Sequence, residues 1–445
     1  MLLSRFAPNW IGGVACTQAN CLMLGLLAVL SAATAQAEEC AASYTLPQAE
    51  QQALTGNPDL RIAREAATGA LADLTSAGER PNPQLTVSST AYPLTHAHSF
   101  ASTYARQADT IFRLDQLVER GHKRALRLAA ANSGSAAAEA EAADQRRETV
   151  LAARVALYDL GLQERKLAIE RELAELAHNS LNAANRRQKA GDLSRIDLAR
   201  LQIESAKADN DVREAEADAG DARTRLGYVL GCAANATLTT AIDWPTPVPV
   251  SLSSGMAALE GRADVVAAKA RADQAAQRLA LAKSQATRDV SVGVQYEHSI
   301  PQGGNALGGV YVSVPLFLAH RYEGGIARAA SDADAAKAVK TKVEATATAE
   351  LAAAENDLAS NTEKLRRYRD QILPQAQTAA DAIEYANSKG AVSLLDLIDA
   401  RRTLRGALLE TANAEASYAK ALAGWMAATE AYQAPQKAAS SNTSP

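Results

Sequence analysis

KAGDLSRID at Lys189–Asp197 and KGAVSLLD at Lys389–Asp396 are two copies of one turn, set 199 residues apart. Gly191 corresponds to Gly390, Ser194 to Ser393 and Asp197 to Asp396, with Leu198 and Leu397 following. Long alanine-rich stretches flank each copy, with no other strong breaker beside it. A glycine that accepts positive φ can close one helix, and a Ser-x-x-Asp pattern can cap the next. The chain therefore reads as two helical hairpins that turn at equivalent points.

The first half has two helices from Tyr44 to Gly78, broken at Gly56-Asn57-Pro58, where proline suits a first helical turn. Strand-period alternation marks Gln84–Tyr92 and Asp109–Val118, around a polar loop at Pro93–Gln107. His122–Lys189 is then proline-free and spans about 100 Å as a helix. The return helix starts at Ser194 and runs to about Leu230, before Gly231 and the DWPTPVP linker at Asp243–Pro249.

The second half repeats the plan. A helix is expected over Arg262–Arg288, then strands Asp289–Tyr296 and Gly309–Leu316 around a turn-rich loop at Ser299–Gly308. A long helix over Arg321–Lys389 and a last one over Ser393–Tyr432 follow. Pro374 should kink the second arm, where the first has Glu175. The resulting divisions are a leader at 1–37, a first repeat at 38–242, a linker at 243–257, a second repeat at 258–433 and a polar tail at 434–445.

Composition narrows the function classes. Only 4% of residues are aromatic and alanine inflates the apolar fraction, as in long helices and coiled coils. The net charge of −4 has its signs interspersed, which leaves no basic patch for nucleic acid. Met1–Ala37 reads as a secretory signal, with Arg5, the apolar core Leu22–Leu30 and Ala35-Gln36-Ala37 before the cut. No other window approaches the ~18 apolar residues of a spanning helix. Cys16 and Cys21 would leave with the leader. No cysteine has a leucine three residues earlier with a small residue just before it, so lipid attachment is not expected. Whether Cys40 and Cys232 pair stays open, because sequence does not reveal proximity.

Four short alternating strands suit a membrane barrel wall, but four cannot close a barrel, and hydrocarbon does not tolerate open edges. Alanine-rich helices of this length also need lateral neighbours. The physical expectation is an oligomeric tube with a β collar at one end and helix–turn–helix tips at the other.

Leu46-Pro47-Gln48-Ala49, Asn57-Pro58-Asp59-Leu60, the run Leu114–Arg124 (LDQLVERGHKR), Val314-Pro315-Leu316-Phe317 and both tips occur in an order and spacing that resemble the TolC family of outer-membrane efflux proteins. Leu117 stands where the family has proline, and His122 where it has glycine. The resemblance implies a mostly α fold with β, in which long antiparallel coiled-coil hairpins form two structural repeats. Four strands per chain would contribute to a trimeric 12-stranded transmembrane barrel. It also implies a passive, non-enzymatic conduit in the outer membrane of a Gram-negative cell, reaching into the periplasm. Its partners would be two further copies, outer-membrane lipid, a periplasmic adaptor (membrane fusion) protein and an inner-membrane RND-type pump, with no nucleic acid and no cofactor. The segment Leu114–Arg124 and the short loops are more like the heavy-metal, CzcC-like branch than the drug-efflux branch. Competing readings are a drug or organic-compound conduit, a periplasmic coiled-coil adaptor, and a structural coiled-coil scaffold. An adaptor would have one hairpin flanked by β-rich domains, and a scaffold would need no strands.

Two roles compete for Asp197 and Asp396. Each suits a helix cap, and by resemblance Asp396 and Asp399 match aspartates of the family's constricted periplasmic aperture. Asp399 is the acid that the repeat does not explain, because its counterpart is Arg200, and an Arg200–Asp399 pair would latch unlike hairpins together. The family's arginine near the second tip is absent, with Val392 and Ser393 in its place. The tip residues Gly191, Leu193, Ser194, Gly390, Val392 and Ser393 are expected to meet the adaptor. His96, His98, His122, His298 and His320 do not form a compact Cys/His/carboxylate set, so no metal site is expected. No nucleophile–base arrangement supports catalysis.

Overall fold

In the computed structural model, which describes residues 40–90, 109–233, 236–247, 259–299 and 305–432, the helices begin where the sequence can satisfy their first N–H groups. After strand β1 (Ser43–Tyr44), helix α1 covers Leu46–Gly56 and α2 covers Pro58–Gly78. Asn57 Oδ1 accepts from Asp59 N and Leu60 N at 3.0 and 3.1 Å, and its Nδ2 donates to Val229 O at 3.0 Å. The one side chain thus caps α2 and ties it to a helix 172 positions later.

Strands β2 (Gln84–Thr90) and β3 (Asp109–Val118) lead into α3 (Lys123–Lys189), and α4 (Arg195–Leu230) returns beside it. Strand β4 (Thr239–Thr240) pairs in parallel with β1. The second half contributes α5 (Ala263–Ser284), β5 (Val290–Ser299), β6 (Asn305–Ser313) and α6 (Glu323–Arg367). A π turn at Tyr368–Ile372 joins α6 to α7 (Leu373–Ser388), and α8 (Leu394–Thr429) returns. The expected leader, the loop at 93–107, linker residues 248–257 and the tail at 434–445 lie outside the described residues. Cys40 and Cys232 are both disulfide-bonded. Among the described residues no helix is long and apolar enough to cross a membrane.

Several expected boundaries move. Strand β5 runs on to Ser299, and β6 starts at Asn305 instead of Gly309 and ends at Ser313. Asn305–Gly309 reads as loop because of its glycines, yet the ladder pairs Tyr296 with Gly308 and Ser299 with Asn305. Backbone pairing across a facing strand outweighs the weak β propensity of glycine. Helix α5 stops at Ser284, four residues early, in a turn that accepts the Gln285 and Thr287 N–H groups. The kink expected at Pro374 takes the form of the π turn. Proline lacks an N–H and crowds the carbonyl four residues back, and the wide turn before it relieves both.

The sheet order is β2-β3-β5-β6, antiparallel throughout, so the β3–β5 pairing joins the two repeats. Register puts Leu85, Val87, Phe112, Leu114, Val292, Val294, Tyr296, Val310 and Val312 on one face, all exposed in the single chain. A helical core of small residues lies beneath. Along α4, Leu201, Ser205, Ala208, Val212, Ala215, Ala219, Ala222 and Leu226 recur at three- and four-residue steps, all buried but for half-buried Ala208 and Val212, which makes a coiled-coil seam against α3. Buried Leu358, Leu365, Ala414 and Tyr418 form the corresponding contact of α6 with α8.

One close approach fixes the end of this shaft. Gly231 caps α4 at φ 72°, and a Cβ there would lie 2.1 Å from Gly56 O. Both the positive φ and the backbone contact exclude a side chain. Gly231→Ala is expected to cost about 2–4 kcal/mol, from strained backbone plus displacement of α1. A thermal-unfolding midpoint equal to wild type would show that the contact carries no such load.

Candidate functional site at the hairpin tips

Both tips close in the same way. Gly191 (φ 85°) and Gly390 (φ 72°) donate to Gln188 O and Asn387 O at 3.0 Å each. The next N–H groups, of Asp192 and Ala391, reach back to Arg187 O and Ala386 O at 2.9 Å. This six-to-one closure uses the helix's last free carbonyls and needs a left-handed residue. A Cβ on either glycine would meet nothing within 4 Å, so the turns are sterically open to a partner.

The caps behind the tips differ. Ser393 Oγ accepts from Asp396 N at 3.2 Å, and Asp396 Oδ2 accepts from Ser393 N at 2.9 Å, completing the reciprocal box. Ser194 Oγ accepts from Asp197 N at 3.0 Å, but Asp197 Oδ1 takes Arg200 Nη1 at 3.3 Å. That contact corrects the expected latch within one chain. Arg200 pairs with Asp197 on its own helix, three residues back, and not with Asp399. A neighbour on the same helical face is reached at less entropic cost than a carboxylate on another hairpin.

Leu193 does not point only outward. It packs, half-buried, with Leu181, Leu198 and Leu394 on a cluster of Ala184, Leu201 and Ile398. One apolar knot thus fastens the two tips to each other. Val392 is also half-buried, and its carbonyl accepts from Asn387 Nδ2 at 3.2 Å. Gly191, Ser194, Gly390 and Ser393 remain exposed.

The aspartates differ in commitment. The Ser393 hydroxyl and then the Ser393 N–H hold the Asp396 carboxyl below the usual carboxylate range, so it is charged throughout the neutral range. Asp399 is exposed and forms no ion pair among the described residues. Its charge acts on Arg402 from a distance, but that guanidinium is already engaged by Glu204.

Beyond the tips lies an ionic arrangement that sequence reasoning missed. Arg401, Arg402 and Arg405 project from α8 into a cleft of about 590 Å³ between α3, α4 and α8. Arg401 donates to Ser180 at 2.7 Å and Glu384 at 2.9 Å, and Arg402 to Glu204 at 2.6 Å. Arg405 contacts Glu170 and Asp211, each at 2.8 Å. Glu170 is only 7% exposed, and the Arg405 fork offsets the cost of burying its charge. The Arg402 hydrogen bond lowers the Glu204 pKa. Nearby, His178 bridges Ser205 Oγ at 3.1 Å and Asp209 Oδ1 at 2.9 Å, clasping α3 to α4. The one signal in the sequence was the density of arginine in RRTLR at 401–405, directly after the second tip.

His122 and Tyr322 are left-handed residues at equivalent helix starts, and His320 stacks edge-on against Tyr322. Their placement is structural. His96 and His98 lie outside the described residues. Among the described residues no three His, Cys, Asp or Glu side chains converge as a metal site requires.

Residues 256–429 match the family described as outer membrane efflux protein. The cobalt-zinc-cadmium resistance protein CzcC of Cupriavidus metallidurans is 26% identical over 294 residues, which cover 64% of this chain and 69% of that protein. The crystal structure of VceC from Vibrio cholerae covers 87% of this chain and 97% of its own, with a TM-score of 0.73 at 19% identity. The CmeC outer membrane channel of Campylobacter jejuni gives 0.75 at 16% identity, over 86% of this chain and 85% of that one. Likeness at these identities establishes the fold.

The Arg405–Glu170 contact should behave as a buried ion pair. Arg405→Met leaves a buried carboxylate uncompensated and is expected to cost about 3 kcal/mol, while Arg405→Met with Glu170→Leu recovers most of it. Additive losses in a denaturant double-mutant cycle would contradict the pairing.

Proposed function

We propose that this chain, a member of the TolC-like outer membrane efflux proteins, is the exit duct through which heavy-metal cations leave the cell. It is a non-enzymatic outer membrane channel that extends into the periplasm. Channels of this family are trimeric components of tripartite efflux systems. The observation that carries the metal cargo is the match to CzcC, named for cobalt, zinc and cadmium resistance. Divalent ions fit this reading best, with monovalent heavy-metal ions as the second class. The rival cargo is organic, and the conduit itself need not discriminate, because a duct passes whatever its pump delivers.

In this reading three copies pair their strand edges into a twelve-stranded wall, with the apolar sheet face toward lipid. The open turns at Gly191 and Gly390, with Ser194 and Ser393, meet a periplasmic adaptor that couples them to an inner-membrane RND-type pump. Leu193 and Val392 shape those turns from behind. Asp396 and Asp399 line the periplasmic mouth, where rings of acids attract cations. Asp197 and Arg200 brace the opposite side of the same mouth. Asp399 is the better gating residue, because Asp396 is held in its cap and Asp399 is free to engage a neighbouring copy.

Complementation of a strain lacking the endogenous duct tests the cargo. Expression with the cognate adaptor and pump should restore growth in cobalt, zinc or cadmium and not in dyes or detergents, and the reverse pattern would favour organic cargo. Gly390→Val should abolish that rescue while trimers persist on unheated gels. For the aperture, Asp399→Ala in planar bilayers is expected to raise single-channel conductance or weaken block by divalent cations. An unaltered channel would remove Asp399 from the gate.

A further inference from the structure

The sheet sorts its charges by face. Asp109, Arg113, Asp115 and Glu297 all fall on the face opposite the exposed valines and aromatics, together with Thr86, Ser88, Ser291, Gln295 and Tyr311. Ile111, Leu117 and Leu307 are the large apolar side chains on that face. Among the described strand residues Arg113 is the one lysine or arginine. Three acids and one arginine leave a net charge of −2 per chain on the described part of this surface.

Arg113 is held by neutral partners. Its Nη2 and Nε donate to Gln295 Oε1 at 3.0 and 3.3 Å, and its guanidinium carbon sits 4.2 Å from the centre of the Tyr311 ring. No carboxylate lies within ion-pair distance of it among the described residues. Register sets Asp115, Gly293 and Tyr311 in one row across β3, β5 and β6. The arrangement depends on Gly293, where a Cβ would come within 2.2 Å of Asp115 Oδ1 and 2.6 Å of the Tyr311 ring. Cation–π contact and the amide fork press the guanidinium flat against the wall without cancelling its charge. Asp115 Oδ1 is buried and accepts no hydrogen bond among the described residues.

We propose that Arg113 sets the charge selectivity of the membrane section of the duct, as an unpaired cation, pinned by Tyr311 and Gln295, that tempers the cation preference of an acid-lined lumen. The inference rests on the reading that three chains close one barrel with this face inward. In such a barrel the wall carries three arginines among nine acids, and a ring of fixed charge in a narrow pore biases which ions enter. The permeant species sensed here are small inorganic ions. This wall acts in series with the acids at the periplasmic mouth and independently of them.

Reversal potentials of purified trimers in planar bilayers under a potassium chloride gradient test this. Asp396→Asn with Asp399→Asn serves as the background, so that the mouth does not mask the barrel. In that background the channel should prefer potassium over chloride. Arg113→Gln should raise the permeability ratio roughly twofold or more, and Arg113→Lys should hold it near the starting value, because charge and not the fork is what the ions sense. Glu297→Gln, which does not touch the Arg113 clamp, should lower the ratio. Channels that conduct with a ratio unmoved by Arg113→Gln and Glu297→Gln would overturn the inference and leave the barrel intact. Failure of the starting channel to insert or conduct would remove the barrel reading and this inference with it.

Discussion

Two unpaired strand edges govern this molecule. Among the described residues, the outer edges of β2 and β6 pair with no further strand, and hydrocarbon supplies no substitute for their backbone N–H and C=O groups. The partner that fits both is the complementary edge of another copy. In the proposed barrel, four strands per copy set how many copies close the ring, and the ring sets the circle on which the helices would stand. Packing of small residues follows from that. The alanines and serine of the α4 seam let α4 approach α3 closely, as a wall of fixed circumference below the sheet would require.

The shaft and the tips are stabilised differently. The shaft has seams of buried alanine and leucine, a close backbone contact at Gly56 and Gly231, and ion pairs that stitch α8 to α3 and α4. At the tips there is one apolar knot around Leu201 and Ile398, two capped turns and exposed charge. A partner that binds the turns therefore works against little buried surface. The arginine row on α8 marks the level where this looseness ends, because there each guanidinium crosses to another helix.

Legibility in the sequence followed the range of the interaction. Caps and breakers act over three or four residues, so Asn57-Pro58, Ser393-x-x-Asp396 and the tip glycines marked helix boundaries that the structure reproduces to within a residue or two. Alternation located β3 at its observed ends. Glycine misled in β6, because a ladder of backbone bonds does not need side chains. The Arg200–Asp399 pair failed within the chain because a helix neighbour was available to Arg200. The Arg405–Glu170 and Arg402–Glu204 contacts were invisible because they join residues 235 and 198 positions apart. They depend on how two hairpins slide into register, and no local pattern records that offset.

The π turn alters the phase of one arm. Leu351, Leu358 and Leu365 are buried at intervals of seven residues, and a strict heptad would next bury Ile372, which is 40% exposed. The stripe resumes at half-buried Leu373 and continues at Ala380 and half-buried Asn387, so a single step of eight spans the π turn. The wide turn swallows one residue, and α7 meets α8 with the same side that α6 presents. Pro374, which has no N–H to give, keeps the wide turn at this one place, so the phase correction falls at a fixed height and the seam stays in register on either side of it. The first arm, continuous from Lys123 to Lys189, contains no such joint. Of the two arms, one is continuous and the other carries its phase correction at a single fixed joint.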